Sequence, residues 1–224
     1  MRKLYVSNKD ETVRMFKSDF LEAFSKVHFS IPLIVFLPVI GYFLYLSFIS
    51  QTLSWLELAL GFAAGMTSWT LVEYVLHRWI FHFEPSSEWG KRLHFICHGV
   101  HHDYPNDSNR LVMPPILSIP LAFFFYYLYG RFIPGDLLYP VFSGLVSGYL
   151  IYDMIHYAIH HVNFSGRWWM ALKTHHLKHH FKDPDKGFGV TSTFWDIVSG
   201  SDFQPMAQKK QKRDQQKTAS VQSE

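Results

Sequence analysis

Twelve of the chain's fourteen histidines fall into four clusters, and no other residue type is so arranged for chemistry. His77 and His82 lie in HRWIFHF, and His98, His101 and His102 in HGVHH. His156, His160 and His161 lie in DMIHYAIHH, and His175, His176, His179 and His180 in LKTHHLKHHFKD. Only His28 and His94 stand apart, and His28 reads as a bystander. A single buried histidine satisfied by a neighbour is ordinary. Four clusters of them point to metal binding, because imidazole is the commonest protein ligand for metal ions.

Spacing adds detail. Offsets of three and four share a helix face, which groups His156 with His160, His98 with His101 and His102, and His176 with His179 and His180. Adjacent residues diverge by about 100°, so His101 and His102, like His179 and His180, can serve different ions. His77 and His82, five apart, are poorly placed for one ion unless the helix breaks between them. Two ions a few ångströms apart, shared among four helices, fit this pattern better than one. Imidazole alone does not choose among zinc, iron, copper and nickel. Glu73, four residues before His77, shares its face and is a candidate to orient that ring. Cys97 is the only cysteine; it forms no intrachain disulfide and reads as a buried, inert thiol.

The elements that carry these clusters are apolar. Charged residues make up 17% of the chain against about 25% in ordinary soluble domains, and the apolar residues are bunched, which indicates a membrane protein. Uncharged or nearly uncharged runs give four expected spans at about 31–49, 55–76, 116–129 and 137–155. Short links make two hairpins, so residues 1–30, the histidine-rich middle segment and the C-terminal region share one side. Of 21 Lys and Arg, all but Arg131 lie on that side, which makes it the cytosol. The expectation is an all-α integral membrane protein with four transmembrane helices and a cytosolic helical cap holding a dimetal site. Residues 1–30 read as a cytosolic or interfacial segment with Phe16, Phe20, Leu21 and Phe24 near helical spacing, not as a signal peptide. Residues 204–224 read as a disordered basic tail. Nothing suggests nucleic acid.

The stretches EYVLHRWIFHF, FICHGVHHDYPNDSNRLVMPP, GYLIYDMIHYAIHH and LKTHHLKHHFKDPDKGFGVTSTFWD resemble the fatty acid 2-hydroxylases of the membrane fatty acid hydroxylase and sterol desaturase superfamily. The similarity covers most of residues 30–203. It implies a hydroxylase domain at 31–203 that places a hydroxyl on a long acyl chain beside its carbonyl, for sphingolipid or ceramide. It also implies ten metal ligands: His77, His82, His98, His101, His102, His156, His160, His176, His179 and His180. His161 and His175 fall outside that set. Tyr149, Tyr152 and Asp153 match the motif before the third histidine pair, as substrate-path or ligand-orienting residues. Two metal ions, with iron expected in the working enzyme and zinc possible after purification, would act with O2 and electrons from an external donor. Many eukaryotic members carry a cytochrome b5 domain that has no room before residue 31, so a separate electron-transfer protein is expected as partner, beside the acyl lipid and the membrane. The membrane would be the endoplasmic reticulum in a eukaryote and the inner membrane in a bacterium. A sterol or carotenoid oxygenase of the same superfamily is the nearest alternative. A metal transporter is more distant, because its ligands would lie near mid-membrane.

Overall fold

The computed structural model describes residues 4–203, all of them helix, turn or irregular chain with no strand. The basic tail expected at 204–224 lies outside the described residues. Two helices are long and apolar enough to cross a membrane: α2 (Ser30–Ile49), and α7 (Leu138–His161) with the 3-10 turn Gly135–Leu137 that leads into it. Two further apolar helices accompany them, α3 (Trp55–Val75) and α6 (Pro115–Gly130). α3 opens on a capping box in which Ser54 and Glu57 satisfy each other's amides, so the Glu57 charge serves the helix N-terminus. Ile34, Leu37 and Tyr45 of α2 and Phe123, Phe124 and Tyr127 of α6 face outward, as lipid-facing residues would.

α7 is the central helix and is buried along most of its length. It packs against α3 closely enough that backbones touch. A Cβ on Gly65 would stand 1.9 Å from the Val141 carbonyl oxygen, and one on Gly144 2.0 Å from that of Phe62. Gly61 and Gly148 continue the two small-residue rows, one on each helix. Phe36, Trp69, Phe142 and Tyr149 fill the space around this seam, with Phe36 and Trp69 both edge-on to the Tyr149 ring.

The remaining helices form the cap: α1 (Asp19–Phe24), α4 (Glu88–His94), α5 (Val100–Asp103), α8 (Arg167–Phe181) and α9 (Phe194–Ser199). The helical spacing read at Phe16–Phe24 yields a helix of only six residues. Ser18 caps it through the Leu21 amide, and the Glu22 carboxylate takes the amides of Met15 and Phe16, which bends the chain ahead of it. The rest of the N-terminal segment is an extended strap along the loop at 103–110. Val6 and Ser7 donate to the Asp103 carbonyl, Ser108 to Asp10, Thr12 to Asp107, and Arg110 to the Val13 carbonyl. A buried ion pair at 2.6 Å between Arg110 and Glu22 fastens it. Burial opposes the Glu22 charge, but the Phe16 and Met15 amides and the Arg110 guanidinium hold its pKa at about 2.

Candidate metal centre

Four short helical stretches bring the histidines together, and two of them are not α-helical. Beyond Val75 the chain winds wider, into a π-helical turn at Leu76–Phe81 in which the His82 amide donates to the His77 carbonyl at 3.1 Å. Bonds from i to i+5 set residues five apart above one another. His77 and His82 therefore stand on one face, and the expected need for a break between them is met by a change of winding. A second π turn, Phe95–Gly99, carries His98 into α5 with His101 and His102. The last turn of α7 supplies His156 and His160, and α8 supplies His175 to His180.

The ten histidines gather in two groups of five, in each of which one nitrogen per ring lies within 4.8 Å of all the others. The first is His77, His82, His98, His102 and His179; the second is His101, His156, His160, His176 and His180. Nε2 of His98 is 3.1 Å from Nε2 of both His77 and His102, and His102 is 3.3 Å from His179. In the second group His176 Nε2 stands 3.1 Å from His160 and 3.0 Å from His180. The expected division of adjacent pairs is present: His101 and His102 part, as do His179 and His180. The shared face read for His176, His179 and His180 is not. His176 and His180, four apart, keep together, while His179 turns to the other group; His101 likewise leaves His98 and His102. An offset of four strays only about 40° around the helix, and an offset of three about 60° the other way, which decides the partition.

Donor chemistry fits metal ions. Two nitrogens each about 2.1 Å from one ion stand about 3.0 to 3.4 Å apart at right-angle to tetrahedral geometry, the separation seen here. His77 Nδ1 donates to the Phe188 carbonyl at 2.5 Å and His179 Nδ1 to the Lys186 carbonyl at 2.7 Å, so each Nε2 lone pair points into the first group. Both nitrogens of His101 and of His156, Nε2 of His82, and Nδ1 of His160, His176 and His180 are buried without a hydrogen-bond partner. Such orphaned atoms are costly in a protein interior, and an ion accepting lone pairs removes part of that cost. Burial, reinforced by neighbouring histidines, holds the pKa of His98, His101, His102, His176 and His180 well below the ordinary value, which keeps them neutral and able to ligate.

A cavity of about 330 Å³ opens beside both groups. His98, His101 and His156 border it on one side, and apolar residues including Phe16, Phe24, Leu117 and Leu121 line much of the rest. Tyr152 and Asp153 reach this wall, and the Tyr152 ring stacks on His156. Tyr149 stands behind them, donating to Asp153 Oδ2 at 3.0 Å, while the Met113 amide donates to Oδ1 at 3.3 Å. Cys97 lines the cavity half-buried, and burial pushes its thiol pKa up, in keeping with an inert role.

One further expectation is corrected. Glu73 is not the hydrogen-bond partner of His77; its carboxylate takes the amides of Val190 and Thr191, while the Phe188 carbonyl holds His77 directly. His175 lies outside both groups and meets Asp196 at 3.1 Å. His161 also lies outside them, stacked on Tyr157, and His28 contacts Ser30. The carbonyls of Lys186 and Phe188 escaped notice in the sequence. The only signal was the pair of glycines in KGFG, and Gly187 has a positive φ of 73°.

Two membrane-length helices beneath a cap that holds two five-histidine groups define a histidine-rich membrane metalloprotein. Comparison with known proteins makes this specific. A fatty acid hydroxylase family model matches residues 62–201. A dihydroceramide fatty acyl 2-hydroxylase of Arabidopsis thaliana is 40% identical over 196 residues, covering 85% of this chain and 80% of its own. Rattus norvegicus fatty acid 2-hydroxylase is 36% identical over 205 residues, covering 82% of this chain and 55% of the rat protein. The solved hydroxylase domain of scs7p superposes with a TM-score of 0.79 at 38% identity, over 84% of this chain and 71% of that one. The chain belongs to the fatty acid hydroxylase family.

Proposed function

We propose that the protein hydroxylates carbon 2 of a long fatty acyl chain, held in or destined for a ceramide-type sphingolipid. The observation that carries this reading is the apolar cavity running up to His98, His101 and His156, histidines drawn from both groups. The relatives named for 2-hydroxylation of dihydroceramide and ceramide acyl chains support the substrate class. In the reaction, an acyl C–H, O2, two electrons and two protons give C–OH and water. Two metal ions, iron in the working enzyme, would be held by His77, His82, His98, His102 and His179 and by His101, His156, His160, His176 and His180. When bound they supply the oxidising power that no side chain has.

The rest falls to the chain. The apolar wall holds the acyl chain and excludes water. Tyr152 and Asp153, at the wall beside His156, orient the carbonyl end of the substrate, and Tyr149 fixes the Asp153 carboxyl group. Residues 31–203 act as the hydroxylase unit, with α2, α3, α6 and α7 as four spans in two hairpins and the cap on the cytosolic side. Electrons come from a separate carrier protein.

The test is lipid mass spectrometry of cells expressing the chain with a competent reductant. Wild type should raise 2-hydroxy acyl ceramides. His176→Ala should lower that product by at least about 100-fold, more than loss of an outer hydrogen-bond partner costs, while the protein stays in the membrane. Oxidation of a sterol or carotenoid with unchanged 2-hydroxy lipids would defeat the substrate assignment.

A further inference from the structure

Two buried carboxylates that belong to neither histidine group grip one short loop. Phe188–Thr191 turns four successive backbone amides inward. The Phe188 amide donates to Asp196 Oδ1 at 2.9 Å and the Gly189 amide to Oδ2 at 2.8 Å. The next two, from Val190 and Thr191, donate to Glu73 Oε1 at 2.5 and 2.9 Å, and the Thr191 hydroxyl to Oε2 at 2.5 Å. Glu73 is 3% exposed and Asp196 fully buried. Burying a carboxylate is unfavourable unless hydrogen bonds offset it, and two at one loop are far more than closing a turn requires.

The loop's carbonyls explain the arrangement. One peptide unit, Phe188–Gly189, has its N–H on Asp196 and its C=O on His77 Nδ1. A negative charge at the donor end polarises that unit and strengthens its acceptor end. Two peptides earlier, the Lys186 carbonyl accepts from His179 Nδ1, and the Gly187 amide is tied to the Ser201 carbonyl, whose own hydroxyl donates to Asp196. A Cβ on Gly189 would lie 2.0 Å from the Ser192 carbonyl oxygen and 3.0 Å from Asp196 Oδ2, so the loop has one backbone path. Both histidines so held belong to the first group. In the second group, Nδ1 of His160, His176 and His180 and both nitrogens of His101 and His156 have no such tie.

We infer that Glu73 and Asp196 are positioning residues for the first metal site: through the loop they fix the tautomer and ring angle of His77 and His179 and make that site the firmer of the two. The inference rests on the two-ion reading above and says which ion each carboxylate serves. It is tested on the full-length protein loaded with cobalt(II) as a spectroscopic probe and challenged with EDTA. His82→Ala removes one ligand from the first group and His160→Ala one from the second, and so they identify the absorption of each site. Glu73→Ala and Asp196→Ala should release the ion marked by His82→Ala about 10-fold faster or more, with the other ion unchanged. Glu73→Gln keeps an oxygen for the two amides and should restore slow release. Glu22→Ala, which breaks the strap's ion pair far from the loop, controls for general loosening and should speed both ions together. Parallel loss of both ions in Glu73→Ala and Asp196→Ala, in step with thermal stability, would overturn the inference. Wild-type protein that never takes up two ions would overturn the two-ion reading instead, and the inference with it.

Discussion

His101 and His102 are neighbours in the chain yet serve opposite groups, and much of the site follows from that divergence. Each is kept neutral by burial first and by nearby histidines second. The consequence for stability has a definite sign. In the unfolded chain these imidazoles ionise near pH 6.5, whereas in the fold they resist protonation, so the unfolded state binds more protons as pH falls. Stability should be whole above about pH 7 and decline below about 6.5, by up to about 1.4 kcal/mol per pH unit for each buried histidine. Thermal unfolding of the metal-free protein in detergent, followed from pH 8 to pH 5, checks this. A flat profile would mean that the rings titrate as freely in the fold as outside it.

Among the elements, the seam between α3 and α7 bears the greatest burden, because α3 leads straight into the π turn that holds His77 and His82, and α7 carries His156 and His160. Gly65 and Gly144 let the backbones touch, and a methyl at either must push them apart. Gly144→Ala should cost about 1–3 kcal/mol, as overpacking does, read as a lowered unfolding temperature. An exposed control with open space around it, Gly41→Ala, should change little. This seam was not read from the sequence, although Gly61 to Gly65 and Gly144 to Gly148 have the four-residue spacing for it. The helices themselves were legible: expected spans at 31–49, 55–76 and 116–129 match α2, α3 and α6 within one residue at each end. The fourth, 137–155, ends where apolarity does, and the helix continues beyond it as the four-residue spacing of His156 and His160 requires, with α7 running to His161. Local spacing found the ligands, but their partition needed the winding of the backbone. The holding loop needed contacts with Glu73, more than a hundred residues away in sequence.

At the scale of the whole molecule, cap and membrane unit are joined by the N-terminal strap, which crosses from the loop at 103–110 to the foot of α2. Its fastening, Glu22 with Arg110, is nearly inaccessible to water. Glu22→Ala should cost about 3–5 kcal/mol, since it strands a buried guanidinium, and limited proteolysis should then cut first within residues 5–28. Topology has its own test. In a Cys97→Ser background, single cysteines at Gln51 and Phe132, in the links that follow α2 and α6, should react with an impermeant thiol reagent from one side of sealed vesicles. A cysteine at Glu88 in the cap should react only from the other. Reaction of Gln51 and Glu88 from the same side would refute the paired hairpins.

The π turn between His77 and His82 also makes the site a matter of chain length. An α-helix would pair residues four apart; here one additional residue is accommodated, and the two rings still meet. Deleting Ile80 would let the turn relax to ordinary winding with the histidines again in register, whereas inserting one residue there leaves no regular helix that aligns them. Tolerance to insertions and deletions at this point should therefore be asymmetric, a single loss surviving where a single gain does not.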